Sequence, residues 1–152
     1  MGGNERTSFH LAGALFDDAE LGVETMKYKK RSARHKAWDV FSKFIRKREA
    51  NEDGIVSCFT CGTRGHWKDM DAGHYIPKSI SLALRFHERN VHVQCTSCNR
   101  FRHGNLTQYA LALKKRYGEE ILEELDEYRR ENEGMRISEP DYRALIERYE
   151  SK

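Results

Sequence analysis

No stretch of this chain is apolar for long enough to span a bilayer, which removes the membrane-spanning classes at the outset. Its start also lacks a basic region followed by an apolar one and a cleavage site, so the expected location is the cytoplasm. Cysteine is scarce, with four residues in 152, too few for a disulfide-rich secreted scaffold. A strong excess of one charge is missing too. Lys and Arg number 27 against 24 Asp and Glu, and a net charge of +3 argues only weakly for a polyanionic partner. The chain has no internal repeat and no low-complexity tract. At this length one compact unit is expected, large enough for a core yet small enough to gain from a metal staple.

What is present is unevenly placed. From Lys27 to Arg48 nearly every charge is positive, whereas from Glu119 to Glu133 most are negative, so a polyanion would approach the first half. Residues 1 to 26 mix Gly, Asn, Ser and acidic residues with a short apolar patch, Leu11 to Phe16. They read as an N-terminal extension without assigned function, the patch either packing as a turn of helix or staying loose. The remainder, 27 to 152, reads as a single domain in three parts: a basic helix (27–50), a chemical core (53–104) and C-terminal helices (105–152). Between about Ser32 and Glu49, Ala37, Trp38, Phe41, Phe44 and Ile45 form one helical stripe. Lys36, Lys43 and Lys47 leave from the opposite side, either as a solvated face or as a binding one.

Three short β-prone pieces follow, Ile55–Phe59, Ala72–Ile76 and Asn90–Gln94, punctuated by Gly54 and Gly62 in the manner of small hairpins around a metal. Three helices are predicted after them. Asn105 with Gln108 resembles a capping box, Gly118 ends or kinks that helix, and Ser138 with Asp141 makes a second box with Pro140 in the first turn.

Cys58-Phe-Thr-Cys61 and Cys95-Thr-Ser-Cys98 are two knuckles that can present four thiolates to one tetrahedral Zn²⁺. Four thiolates leave no open coordination position. One structural zinc per chain is therefore predicted. The interval between the pairs is longer than a zinc ribbon needs, and it holds Asp71-Ala-Gly-His74-Tyr75-Ile76-Pro77, then Asn90-Val-His92-Val-Gln-Cys95, with Asn99 directly after the fourth cysteine.

In these residues the sequence resembles the HNH (His-Me finger) endonucleases, with His74, Asn90 and Asn99 at the three signature positions. The runs Ala72-Gly-His-Tyr, Leu84-Arg-Phe, Asn90 through Asn99 and Gly104-Asn105-Leu narrow this to the NinG, or Rap, family of bacteriophage recombination proteins over residues 35–150. The resemblance implies an α+β fold: a small zinc-stapled ββα-metal core with flanking N- and C-terminal helices. It further implies a structure-specific endonuclease for branched double-stranded DNA, including Holliday junctions and D-loops, in the cytoplasm of a bacterial host. Phage or host recombination proteins, and a second copy on a symmetric junction, are the other partners it suggests.

Hydrolysing a phosphodiester needs an activated water, a charge clamp on the phosphoryl oxygens and help for the leaving oxygen. In this reading His74 is the general base, and Asp71 with Asn99 holds one Mg²⁺ or Mn²⁺. Asn90, by analogy, bonds to backbone and orients His74. Many HNH enzymes carry a carboxylate directly before the histidine. Here that place is Gly73, and Asp71 keeps the same strand facing two residues earlier, with His92 as an alternative ligand. Lys78, Arg85, Arg100 and Arg102 lie near enough to grip phosphates. Read singly, Asn90 fits a turn, Asn99 a helix cap, and His92 a structural role. Two other classes compete: a non-catalytic zinc module binding DNA or a recombinase, and a zinc deaminase. The deaminase lacks its H-x-E and P-C-x-x-C elements, since Gln94 precedes Cys95.

Overall fold

The computed structural model describes residues 32–152; the expectation for residues 1–26 lies outside them. The first element is helix α1 (Ala33–Lys47), about three residues shorter than the predicted span, with Ala37, Phe41 and Ile45 fully buried at four-residue spacing. Strands β1 (Ile55–Ser57) and β2 (Arg64–His66) form an antiparallel hairpin. The second strand was not expected, because Arg-Gly-His carries no β-branched or aromatic signal. It forms because the first cysteine knuckle turns the chain back, with Gly62 at φ +75° and Cys58 N–H donating to Thr63 O.

A second antiparallel ribbon pairs β3 (Asp71–His74) with β4 (Val91–Gln94). In register, Asp71 faces Gln94, Ala72 faces Val93, Gly73 faces His92 and His74 faces Val91. Directly opposed residues share a side of the ribbon. One side thus carries Asp71, Gly73, His92 and Gln94, and the other Ala72, His74, Val91 and Val93. All four residues of β4 are buried, so both sides are covered.

Helices α2 (Leu106–Tyr117), α3 (Ile121–Glu131) and α4 (Glu139–Glu150) complete the domain. On one side, α1 and α4 pack together and bury Phe41, Ile45, Tyr149 and Val91. On the other, α2 and α3 enclose Leu84, Tyr109, Leu113, Ile121 and Leu125. The Ser138–Asp141 capping box forms as predicted, and Gly118 ends α2 at φ +104°. The Asn105–Gln108 box does not form. Asn105 sits in the left-handed region at φ +50°, and its amide turns away from the helix to Cys98 Sγ, 3.5 Å away. The result is a mixed α+β domain with two small sheets. No helix among the described residues is long and apolar enough to cross a membrane.

Candidate functional site

The two cysteine knuckles come together. Cys58 follows β1, Cys61 lies in the turn after it, Cys95 follows β4, and Cys98 lies in a π-helical turn, Ser97–Phe101. Their four Sγ atoms all lie within 4.8 Å of one another, and Cys61 and Cys95 approach to 3.7 Å. Zn–S bonds of about 2.3 Å in a tetrahedron require S–S edges of about 3.8 Å, so the cluster fits a metal ion such as zinc. The sulfurs also gain outer partners: the Thr60 hydroxyl 3.3 Å from Cys58, the Thr63 hydroxyl 3.2 Å from Cys61, and the Asn105 amide at Cys98.

His74 ends β3 on the opposite side of the ribbon from Asp71. Its Nε2 lies 3.0 Å from the Arg85 carbonyl oxygen, which can only accept, so Nε2 carries the proton and Nδ1 keeps its lone pair. The ring stacks on Trp38 from α1, centroids 5.1 Å apart and planes 16° apart. Burial first, with Lys78 and Arg85 adding positive charge, lowers the His74 pKa to about 4. The imidazole is therefore neutral at pH 7.

Asn90 holds the loop that supplies this carbonyl. Fully buried, it accepts from Ile76 N–H at 2.8 Å and donates to the carbonyls of Ile76 and Leu84 at 2.9 and 3.0 Å. Fixing Leu84 O fixes the adjoining Arg85 residue, and through it the imidazole. Neither the Arg85 carbonyl nor Trp38 was singled out by sequence as a partner of His74. Backbone roles leave no trace in residue type, though Trp38 was readable as an aromatic on the helix facing the strand.

Asp71 and Asn99 are brought into contact. Asn99 Nδ2 donates to Asp71 Oδ2 at 3.1 Å, and Arg100 grips both oxygens of the same carboxylate at 3.1 Å each. The π turn that carries Asn99 and Arg100 leads into three successive left-handed residues, His103, Gly104 and Asn105. This sparsely populated conformation aims the Gly104 N–H at the carbonyls of Cys98 and Asn99, at 2.9 and 3.2 Å. It also turns the Gly104 carbonyl to Gln94 Nε2 at 2.8 Å. Gln94, which sequence reading passed over, thus ties β4 to this turn.

Several of the remaining candidate residues already have partners. His92 is not a free ligand: it is fully buried, its Nδ1 lies 3.1 Å from Tyr109 Oη and its Nε2 2.8 Å from Tyr117 Oη, and Phe59 stacks on it at 3.8 Å. Burial lowers its pKa to about 2, so it stays neutral. Arg85 is 5% exposed, with its guanidinium over the rings of Trp38 and Phe86 and Nε unpartnered. Arg100 is engaged by Asp71, and Lys36 pairs with Glu150 at 2.8 Å across the α1–α4 contact. Lys43, Lys47, Lys78 and Arg102 remain exposed, with Lys47 beside the Trp67 ring.

The fold and site together define a small α+β domain with a four-cysteine cluster able to hold a metal ion such as zinc. The chain belongs to the NinG family: its residues 17–152 match the family profile described as Bacteriophage Lambda NinG protein. It is 35% identical over 111 residues to the protein ninG of Escherichia phage 933W, a stretch covering 72% of this chain and 50% of that protein. Similarity to the ninG protein of Escherichia phage lambda is 40% over 85 residues, 55% of this chain and 38% of the relative. Against that of Salmonella phage P22 it is 34% over 111 residues, 72% and 50% of the two lengths. The chain thus spans about half the length of the curated relatives it matches. No solved structure matches it.

Proposed function

We propose that this domain is a metal-dependent endonuclease of the HNH kind, acting on branched DNA. The observation that carries the reading is the state of His74: a neutral imidazole with one nitrogen tied to the Arg85 carbonyl and the other left as a proton acceptor. A general base must be unprotonated and keep a free lone pair, and this ring meets both conditions near neutral pH. The Cys58, Cys61, Cys95 and Cys98 cluster would hold a structural zinc that fixes β4 and the π turn. A carboxylate and a carboxamide in contact, Asp71 and Asn99, are donors suited to a hard cation such as Mg²⁺ or Mn²⁺. Such an ion, when bound, supplies positive charge against the phosphoryl and leaving oxygens.

The chain's own residues do the rest. Asn90 and the Arg85 carbonyl hold the imidazole in one tautomer, and Trp38 shields its face from water. Lys78 and Arg85 set positive charge around the ring, where a phosphate would lie. Exposed Lys43 and Lys47 on α1, with Arg102 beyond the π turn, offer contacts to the sugar-phosphate backbone. None of these elements reads bases, so recognition is by DNA shape, favouring a branch whose strands bend cheaply.

The test is incubation of purified protein with four-way, forked and linear DNA of matched sequence, with Mg²⁺, Mn²⁺ or EDTA. Metal-dependent cutting that follows the branch point when the sequence is changed is expected. Binding without cleavage would instead favour a non-catalytic module, and equal cutting of linear duplex would leave a general nuclease.

A further inference from the structure

Gln94 is a buried amide with only half of its hydrogen-bonding capacity used. It is 0% exposed, and its Nε2 donates to Thr60 Oγ1 at 3.1 Å and to Gly104 O at 2.8 Å. The Gly104 carbonyl can only accept, so flipping the amide would set oxygen against oxygen, and the orientation is fixed. Its Oε1 therefore faces the other way, is buried, and has no partner. An unmatched buried carbonyl is costly and uncommon in folded proteins.

That oxygen lies against Gly73, in the place where a side chain at that residue would begin. A Cβ at Gly73 would lie 1.9 Å from Gln94 Oε1 and 3.0 Å from Asn99 Oδ1. Two carboxamide oxygens, one from β4 and one from the π turn, thus lie against Gly73 in room that only glycine leaves. Asn99 is oriented as firmly as Gln94: its Nδ2 is spent on Asp71 Oδ2, which turns Oδ1 toward Gly73. Asp71 shares this side of the ribbon and adds a carboxylate. Donors that are all oxygen, two neutral and one anionic, suit a hard divalent cation and not a soft one.

We propose that Gln94 Oε1 is a ligand, together with Asn99 Oδ1 and Asp71, of a divalent cation held between these donors beside Gly73. The proposal rests on the nuclease reading for what the ion is used for, while the site itself rests on this geometry alone. Arg100, now bidentate on Asp71, is the cation that such an ion would displace.

The wild-type protein, loaded with zinc and labelled with ¹⁵N, is titrated with Mn²⁺ alone. The side-chain amide signals of Gln94 and Asn99 are expected to broaden at lower Mn²⁺ than that of Gln108, exposed on α2. Free Mn²⁺ measured by electron paramagnetic resonance then gives affinities. Gln94→Ala should weaken binding at least tenfold. The double variant Gln94→Ala with Gly73→Asp should restore much of it, because truncation clears the space a Cβ needs and the aspartate returns an oxygen. A Gln94 signal that survives saturation, or Gln94→Ala binding Mn²⁺ as wild type does, overturns the proposal. If Mn²⁺ binds through Gln94 but every DNA substrate stays intact, the nuclease reading falls and the site stands. If DNA is cut and Gln94→Ala leaves the Mn²⁺ dependence unchanged, the site falls and the nuclease reading stands.

Discussion

The two sides of the β3–β4 ribbon are equally buried and held by different means. Ala72, Val91 and Val93 lie among Phe41, Ile45, Val56 and Met70, where contact area supplies the stabilisation and no particular atom is indispensable. His92 and Gln94, on the reverse, are also 0% exposed, but each depends on named partners: tyrosine hydroxyls for one, Thr60 and Gly104 for the other. The apolar side can tolerate a change of shape at a graded cost. The polar side fails by single unmatched atoms, and it is also the side that gathers oxygen donors.

The largest expected effect comes from removing what anchors β4 to the knuckle after β1. Cys58→Ser or Cys98→Ser, each replacing a thiol that is 2% or 1% exposed, should abolish cooperative unfolding and metal binding together. Structural zinc contributes about 10–16 kcal/mol in zinc-finger peptides, comparable to the whole stability of a small domain. Thermal melts with and without a chelator, alongside elemental analysis, measure it. A zinc-free protein that melts like the wild type would show that the cluster is not what holds β4 to the knuckle.

Next, under the nuclease proposal, comes His74, whose replacement would separate catalysis from folding. His74→Ala should lower cleavage by about 10²- to 10⁴-fold with the zinc retained, the range associated with loss of a general base. In the wild type, cleavage should fall as the pH drops through about 4, where the ring protonates. The same depressed pKa affects stability. Between an unfolded value near 6.5 and about 4 the unfolded chain binds a proton that the native ring does not, so stability is lost as pH falls through that window. Cleavage by the alanine variant at the wild-type rate would remove His74 from the chemistry.

The smallest effects discriminate between the two sides directly. Val91→Ala should cost about 2 kcal/mol, from two lost methyl groups and the cavity they leave, with no change in pH profile. His92→Phe should cost about 1–3 kcal/mol, because the Tyr117 hydroxyl loses its partner while Tyr109 still donates to the Gly73 carbonyl. It should also flatten the pH dependence. Native His92 titrates at about 2 and the unfolded chain near 6.5, so this histidine makes stability fall as pH drops below 6.5, and phenylalanine cannot. Denaturant midpoints at pH 7 and pH 5 for both variants decide the matter.

Patterns that one element imposes on itself were legible in the sequence. The four cysteines, the buried stripe of α1, the Ser138–Asp141 box and the Gly118 stop each follow from local spacing, and each is found. Asn105 deceived because its backbone is left-handed, a choice set by the turn from the π-helical segment and invisible in the capping pattern. Val-His-Val-Gln reads as a strand with one polar side, which ordinarily meets water. What covers that side is α2, whose Tyr109 and Tyr117 fall eight residues apart on one helical face and so were available as a signal. The Asp71–Asn99 contact was reached from strand parity and resemblance. The Gln94 oxygen needed the three-dimensional position of Gly73.

The parallel stack of Trp38 on His74 gives the domain an optical consequence. An excited indole passes charge to an imidazolium far more readily than to a neutral imidazole, so Trp38 should emit strongly near neutral pH and dim as His74 takes its proton, with a midpoint at about 4. The other tryptophan, Trp67, sits beside Arg46, Lys47 and Lys68, and Trp67→Phe would leave a single emitter. A phosphate drawn up to the ring would favour the imidazolium and move that midpoint upward. The acid quenching curve, recorded with and without uncleaved DNA, would then report in light how closely a backbone phosphate approaches the imidazole.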